Sequence, residues 1–326
     1  MFSLPPIYRP HLLALACLLA GAQTAMAAYP EKPIRFIVPA APGGGADTTV
    51  RIVATALAQR LGQPIVVDNK PGAAGAIGLD AIAKAPPDGY TIGTANLSNF
   101  TVASNVSKTL PYSPTRDFSP IAMLMTQPYL LGVTATLPIK TVKELADYGK
   151  ANPTALFYGS SGNGSALHVV MELFRTSMGF SATHVPYKSI VAAQTDLMGG
   201  QIQVMVDNFS TMAPNVESGR VRALAITGSK RSPMFPNVPT LAEAGVPAAE
   251  AVTWAGVVGP ARLPADIVNR LNREINAVLA DPKVRKQFAD VASDPAPMTV
   301  TDFAKYIQAQ DAKWSAVIKQ GKITTD

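Results

Sequence analysis

Pro33-Ile-Arg-Phe-Ile-Val-Pro39, then Ala40-Ala-Pro-Gly-Gly-Gly-Ala46, then the stretch beginning Asp47-Thr-Thr-Val-Arg51 decide the fold class. The first is a short apolar run closed by prolines, the pattern of a buried strand. The second is a turn whose glycines let backbone approach a ligand closely. From Asp47 onward Val50, Val53, Ala54, Leu57 and Leu61 recur at helical spacing and share one face. Asp47 is placed to act as the N-cap and Gly62 as the stop. Outward from this unit, residues 64–68 and 90–95 read as strands and 73–84 as a helix. Strand–helix alternation with right-handed crossovers predicts a mostly parallel sheet covered on both faces.

A second α/β unit begins near Tyr129. Its expected strands are 129–134, 155–158, 182–185, 204–207 and 223–227. The expected helices are 142–150, 166–178, 191–198 and 212–218. Residues 252–258 form another strand pattern. The C-terminal region is helical, and Phe303, Tyr306, Ile307, Trp314, Val317 and Ile318 make one apolar stripe, the mark of packing residues. The 326 residues, at roughly 150 per domain, suggest two domains.

Composition narrows the class. The chain is 48% apolar and 15% charged, which argues against intrinsic disorder. Its 28 Pro and 24 Gly follow no triplet period, which excludes a collagen-like rod. The net charge of +6 is diffuse, with Lys230-Arg231 the densest basic cluster beyond the N-terminus. There is no basic stripe with interleaved aromatics, so nucleic-acid binding is not expected. A mild positive field still attracts small anions.

Residues 1–27 carry Arg9, an apolar run over 12–22 and Ala25-Met-Ala27, the tripartite pattern of a secretory signal peptide cleaved after Ala27. The run is shorter than the roughly 20 residues that span a bilayer. Cys17 is the only cysteine, and Ala14-Leu-Ala16 before it makes a poor lipobox. A chain starting at residue 28 therefore has no disulfide, cysteine nucleophile or thiolate metal site.

Two glycine-rich turns lead into helices, at 42–47 and at Tyr158-Gly-Ser-Ser-Gly-Asn-Gly-Ser165. In an open parallel sheet, ligands bind beyond the carboxyl ends of the strands, where helix N-termini favour anions. Two such turns, one per unit, point to an anion held between domains. Other chemistries fit poorly. The third glycine of a dinucleotide fingerprint is missing after Gly45, and Asn163 stands where a serine-hydrolase elbow centred on Ser161 needs glycine. The remaining histidines, His168 and His184, lack zinc spacing. His168, in the first turn of its helix, donates either to a ligand or to backbone. His184, inside a strand with nothing titratable near it in sequence, reads as structural. Asp47 either caps its helix or accepts from a ligand, and both roles are compatible. Asp207, ending an apolar strand, is expected to face the cleft.

Residues 29–47 as a whole, Leu61-Gly-Gln-Pro-Ile-Val-Val-Asp-Asn-Lys-Pro-Gly-Ala-Ala-Gly75, Ala85-Pro-Pro-Asp-Gly-Tyr-Thr91, Gly159-Ser-Ser-Gly-Asn-Gly-Ser165, Val185-Pro-Tyr-Lys188, Asp196-Leu-Met-Gly-Gly-Gln201 and Val238-Pro-Thr-Leu-Ala-Glu-Ala-Gly245 follow one another in a familiar order. In this the chain resembles Bug-type substrate-binding proteins of tripartite tricarboxylate transporters. The resemblance implies an α/β, type II periplasmic-binding-protein fold, with two Rossmann-like domains around a central cleft. Two crossing strands, near 127–133 and 252–258, would join them. Domain one would be residues 28–128 with 253–326, and domain two residues 129–252. It implies a ligand site at Ala40, Pro42, Gly43, Gly44, Ala46 and Asp47 on one side. Ser160, Ser161, Gly162, Gly164 and Ser165 would hold a carboxylate on the other. Positions His168, Tyr187 and Asp207 would line or support the cleft. Ala40 and Ser189 depart from common Phe and Gly, which bears on pocket shape; Gln203 and Gln310 replace common acidic residues.

The expected function is periplasmic capture of a small organic carboxylate and its delivery to a membrane permease, by a monomer without cofactor or metal. A binding subunit serving a sensor protein is the alternative within that class. A hydrolase using Ser160 or Ser165 is the enzyme alternative, and it lacks a base and an oxyanion motif in the sequence.

Overall fold

The run around Phe36 forms strand β1 (Ile34–Val38), buried at four of its five positions. The glycine turn then feeds helix α1 (Gly45–Leu61), whose buried face includes Val50, Val53, Ala54, Leu57 and Leu61. The structure, a computed structural model, describes residues 29–324. The expected signal peptide, residues 1–27 with Cys17, lies outside the described residues. The chain continues through β2 (Ile65–Asn69), α2 (Ala76–Ala83), β3 (Thr91–Asn96), a π-helical turn (Leu97–Val102) and α3 (Ala103–Val106). Next come β4 (Phe118–Thr134), α4 (Val142–Ala151), β5 (Phe157–Ser160), α5 (Ala166–Met178), β6 (Thr183–Pro186) and α6 (Ile190–Met198). Then follow β7 (Val204–Asn208), α7 (Phe209–Glu217), β8 (Val221–Ile226) and β9 (Val252–Pro260). The chain closes with α8 (Ala265–Ala280), α9 (Pro282–Asp290), β10 (Asp294–Pro295) and α10 (Val300–Gly321).

Strands run in the order β2-β1-β3-β9-β4-β7-β5-β6, with β8 and β10 also paired to β4. The expected mostly parallel sheet is corrected at its centre. Strand β1 pairs in parallel with β2 and β3, and β5 with β6 and β7. Every pair made by β4 or β9 is antiparallel. Strand β4 is far longer than the expected 129–134, because Pro120 and Pro128 mask it in the sequence. Pro120 sits at a register shift in the pairing with β9, where a missing N–H is tolerated. Over 118–128 strand β4 pairs with β9, and over 129–134 with β7 and β8. One strand thus serves both halves of the sheet.

The expected helix 73–84 is also revised: Ala73–Gly75 is a 3-10 turn with left-handed Ala73 and Ala74, and the α-helix starts at Ala76. The C-terminal aromatic stripe packs as expected. Phe303, Ile307, Trp314, Val317 and Ile318 are buried, and Phe303 and Tyr306 meet Trp254 edge-on, as does Phe100. Each such buried ring stabilises the fold by about 1.5–3 kcal/mol. Gln310 accepts from Trp314 Nε1 at 2.9 Å, so this departure serves packing. Gln203 accepts from Phe157 N at 2.9 Å, tying a loop to β5. No helix among the described residues is long and apolar enough to cross a membrane.

Candidate functional site

The turn after β1 carries a correction. Residue Gly44, not Asp47, is the N-cap of α1, and no side chain caps that helix. Asp47 stands at the third helical position, only 3% exposed. Its carboxylate accepts from Gly43 N–H, Arg51 Nε and Asn69 Nδ2, each at 2.9 Å. The bond from Arg51, helped by Gly43 and Asn69, outweighs burial and holds its pKa down at about 2. A carboxylate three residues into a helix reaches back to donors ahead of it, as in half of a capping box. Asp47 therefore locks the turn from behind. The first-turn N–H groups of α1 have no intrahelical acceptor, and Gly45 and Ala46 border the cavity between the sheet halves.

The second turn is held by a buried polar network. Gly162 and Gly164 take φ of +112° and +67°, a region that side chains disfavour. Ser165 caps α5, accepting from His168 N at 3.2 Å. Gly164 N–H donates to His168 Nδ1 at 3.1 Å. Ser160 Oγ lies 2.7 Å from His184 Nε2, 3.0 Å from Gly162 O and 3.1 Å from Gly162 N. The hydroxyl has one proton; when it goes to Gly162 O, His184 donates from Nε2. The His168 and His184 rings stack at 3.8 Å, with Tyr158 stacked on His184 at 4.8 Å. Tyr158 O–H donates to Glu172, which also pairs with Arg175 at 2.7 Å. Burial, then the neighbouring His168, lowers the His184 pKa to about 4, and burial lowers that of His168 too.

His184 is thus not isolated, as its sequence surroundings implied. Residues 158 and 184 are register partners on β5 and β6, which brings the rings together. Ser160 does have a histidine beside it, but it is wholly buried and its hydroxyl is spent inside the turn.

A third helix end escaped the sequence reading. Helix α7 starts at Phe209, not 212, because Pro214 inside it and the polar Ser210 and Thr211 hide the first turn. No side chain caps it, and Asn208, Ser210 and Thr211 border the cavity. Asp207 is wholly buried behind this end. It accepts from Asn208 N at 2.7 Å and Gln194 Nε2 at 2.6 Å, while burial pushes its pKa up to about 6. Tyr187 O–H donates to Asp196 at 2.7 Å, bracing β6 against α6, and burial raises its pKa to about 12.

The cavity measures about 640 Å³. Of the residues expected to bind ligand, Ala46 and Ser161 line it. Gly164 and Ser165 line an adjoining cavity of about 620 Å³, which Ser161 also borders. Ala40, Pro42, Gly43, Gly44, Asp47, Ser160, Gly162, His168, Tyr187 and Asp207 line neither. Walls that the sequence reading missed include Thr49, Asn96, Ser98, Gln127, Tyr129 and Thr253. Asn96 and Asn99 cap each other's backbone N–H at 2.9–3.0 Å, which fixes the π-helical turn beside the cavity. Asp290, paired with Lys286 at 3.1 Å, is the single charged residue on its lining.

Two α/β halves joined through the long central strand β4, with helix N-termini turned to the space between, define a periplasmic-binding-protein fold. The family model described as "Tripartite tricarboxylate transporter family receptor" matches residues 49–323, and the chain belongs to that family. Protein BugT of Bordetella pertussis is 35% identical over 293 residues, covering 90% of this chain and 90% of that one. An R. palustris protein solved with adipate aligns at 35% identity and TM-score 0.78, covering 91% and 99% of the two chains. MatC from Rhodopseudomonas palustris, solved with malate, aligns at 31% identity and TM-score 0.75, covering 89% and 100%. The family is one of transporter receptors, and further structural neighbours, the periplasmic binding protein BugD and a TctC solute binding protein from Polaromonas, are binding proteins rather than enzymes.

Proposed function

We propose that this protein captures a small organic carboxylate in the periplasm and delivers it to a tripartite tricarboxylate transporter permease. It acts as a monomer, exported by the segment 1–27. Residues 28–128 with 253–326 close against 129–252, about the crossing at β4 and β9. The carrying observation is the convergence of the α1, α5 and α7 N-termini on one cavity whose lining contains no Lys, Arg or His. Helix termini supply anion-binding N–H groups and roughly half a positive charge each. The Ala46 and Ser161 turns touch ligand directly. Asp47, His168, Tyr187 and Asp207 act by holding those turns in place. The carboxylates bound by the adipate and malate relatives support this ligand class.

The test is thermal unfolding of residues 28–326, refolded to strip carried ligand, across a carboxylate panel. A bound acid at a hundred times its Kd adds about 2.7 kcal/mol and raises the melting temperature saturably. Mass spectrometry should recover the acid unchanged. No shift across mono-, di- and tricarboxylates refutes the reading.

A further inference from the structure

Beside the main cavity lies the second, of about 620 Å³, and the two share Ser98 and Ser161. The loop 160–165 is therefore a partition with a face on each side. The second cavity has an apolar wall, made by Ala73, Ala74, Ile77, Ala103, Leu110 and Pro111. Ile77 is 55% exposed, one of the few large aliphatic side chains left open to solvent in the described chain. Its charged wall residue is Asp80, whose Oδ2 meets Lys84 at 2.8 Å while Oδ1 is buried with no hydrogen-bond partner. No Lys, Arg or His lines either cavity. A ligand anchored at the partition by one carboxylate thus finds apolar surface beyond it, and then the side chain of Asp80. A second carboxylate placed there would meet the Asp80 carboxylate, whose one cation, Lys84, is already engaged on Oδ2 and does not line the cavity. An aliphatic chain would cover Ile77 and remove it from water.

Building on the carboxylate reading above, we propose that the ligand is a monocarboxylate with an apolar body, and that the Ile77 cavity receives that body. Its far end is uncharged or carries a hydrogen-bond donor for Asp80. This ligand differs in class from the dicarboxylates adipate and malate.

The test is calorimetric titration of residues 28–326 with hexanoate, octanoate, propanoate and adipate. Hexanoate and adipate have equal chain length and differ only at the far end. Hexanoate or octanoate should bind at least about tenfold more tightly than adipate. Ile77→Asp should weaken the longer monocarboxylates by about tenfold and leave propanoate unchanged. As Ile77 is half exposed, the variant should melt as the native chain does. Asp80→Asn should strengthen adipate selectively. Tighter binding of adipate than of both long monocarboxylates overturns the proposal. So does long-chain binding that Ile77→Asp leaves unaltered. In both cases the carboxylate reading survives. Absence of binding by every acid overturns the two together.

Discussion

Replacing Asp207 with Asn should remove a pH dependence of stability that the native chain carries. Asp207 is wholly buried, and burial raises its pKa to about 6 although Gln194 and Asn208 donate to it. In the unfolded chain the group ionises near its ordinary value of about 3.9. Between these values the folded protein keeps a proton that the unfolded chain has lost. Stability from this group is therefore full below about pH 4 and declines as pH rises through about 6. Roughly two pKa units correspond to about 3 kcal/mol. An Asn side chain has the same shape and no such ionisation. The stability of Asp207→Asn minus that of the native chain should thus rise by about 3 kcal/mol between about pH 4 and pH 7. Urea unfolding at unit pH intervals measures that difference, and using a difference cancels the other titrating groups. A difference that stays flat or falls with pH would show that the Asn208 and Gln194 hydrogen bonds outweigh burial.

The stacked histidines act with the opposite sign. His184 titrates near 4 when folded, so its contribution is present above about pH 6.5 and is lost as pH falls toward 4. His184→Gln should flatten acid unfolding by less than about 3 kcal/mol, since solvent reaches part of the ring; unchanged acid sensitivity would contradict this. Gly93→Ala should destabilise by about 3 kcal/mol in urea melts. A Cβ there would lie 2.2 Å from Ile82 Cδ1 and 2.7 Å from the Ile37 carbonyl oxygen, which is fixed in the β1–β3 ladder. Ser165→Ala should cost about 1 kcal/mol through loss of the α5 cap. It should also weaken every carboxylate that binds, seen in calorimetry beside the melting curve.

Local patterning carried much of the architecture. The α1 stripe and the 166–178 limits of α5 were legible because each rests on contacts a few residues apart. What the sequence hid depends on register between distant segments. Nothing near His184 announces His168, since the pair forms only where α5 lies over β5 and β6, whose register sets Tyr158 beside His184. By position alone Asp47 reads as a cap, as a ligand acceptor, or as both. Its actual partners, Gly43, Arg51 and Asn69, include one from another strand. The start of α7 is masked in the sequence because Ser210 and Thr211, which face the cavity, and Pro214 interrupt the apolar face that Phe209, Met212 and Ala213 bury in the core.

The polar network behind the 160–165 turn explains why a serine beside a histidine does no chemistry here. A nucleophile needs its oxygen open to substrate and its proton free to move to a base. Ser160 Oγ is closed off on three sides, by Gly162 N–H, Gly162 O and His184. The same contacts that disqualify it as a nucleophile fix the turn at whose end α5 begins. Gly164 N–H, given to His168 Nδ1, is likewise used for positioning. In the proposed site the anion is left to the first-turn amides that no side chain caps, which are neutral backbone donors. Such donors hold a carboxylate without a cation, and each helix end contributes only about 0.3–2 kcal/mol. No one end suffices, so on the proposed reading tight binding would require the α1, α5 and α7 ends to act together. Because α1 lies on one half of the sheet and α5 and α7 on the other, the proposed site would favour a closed arrangement of the halves when ligand is present.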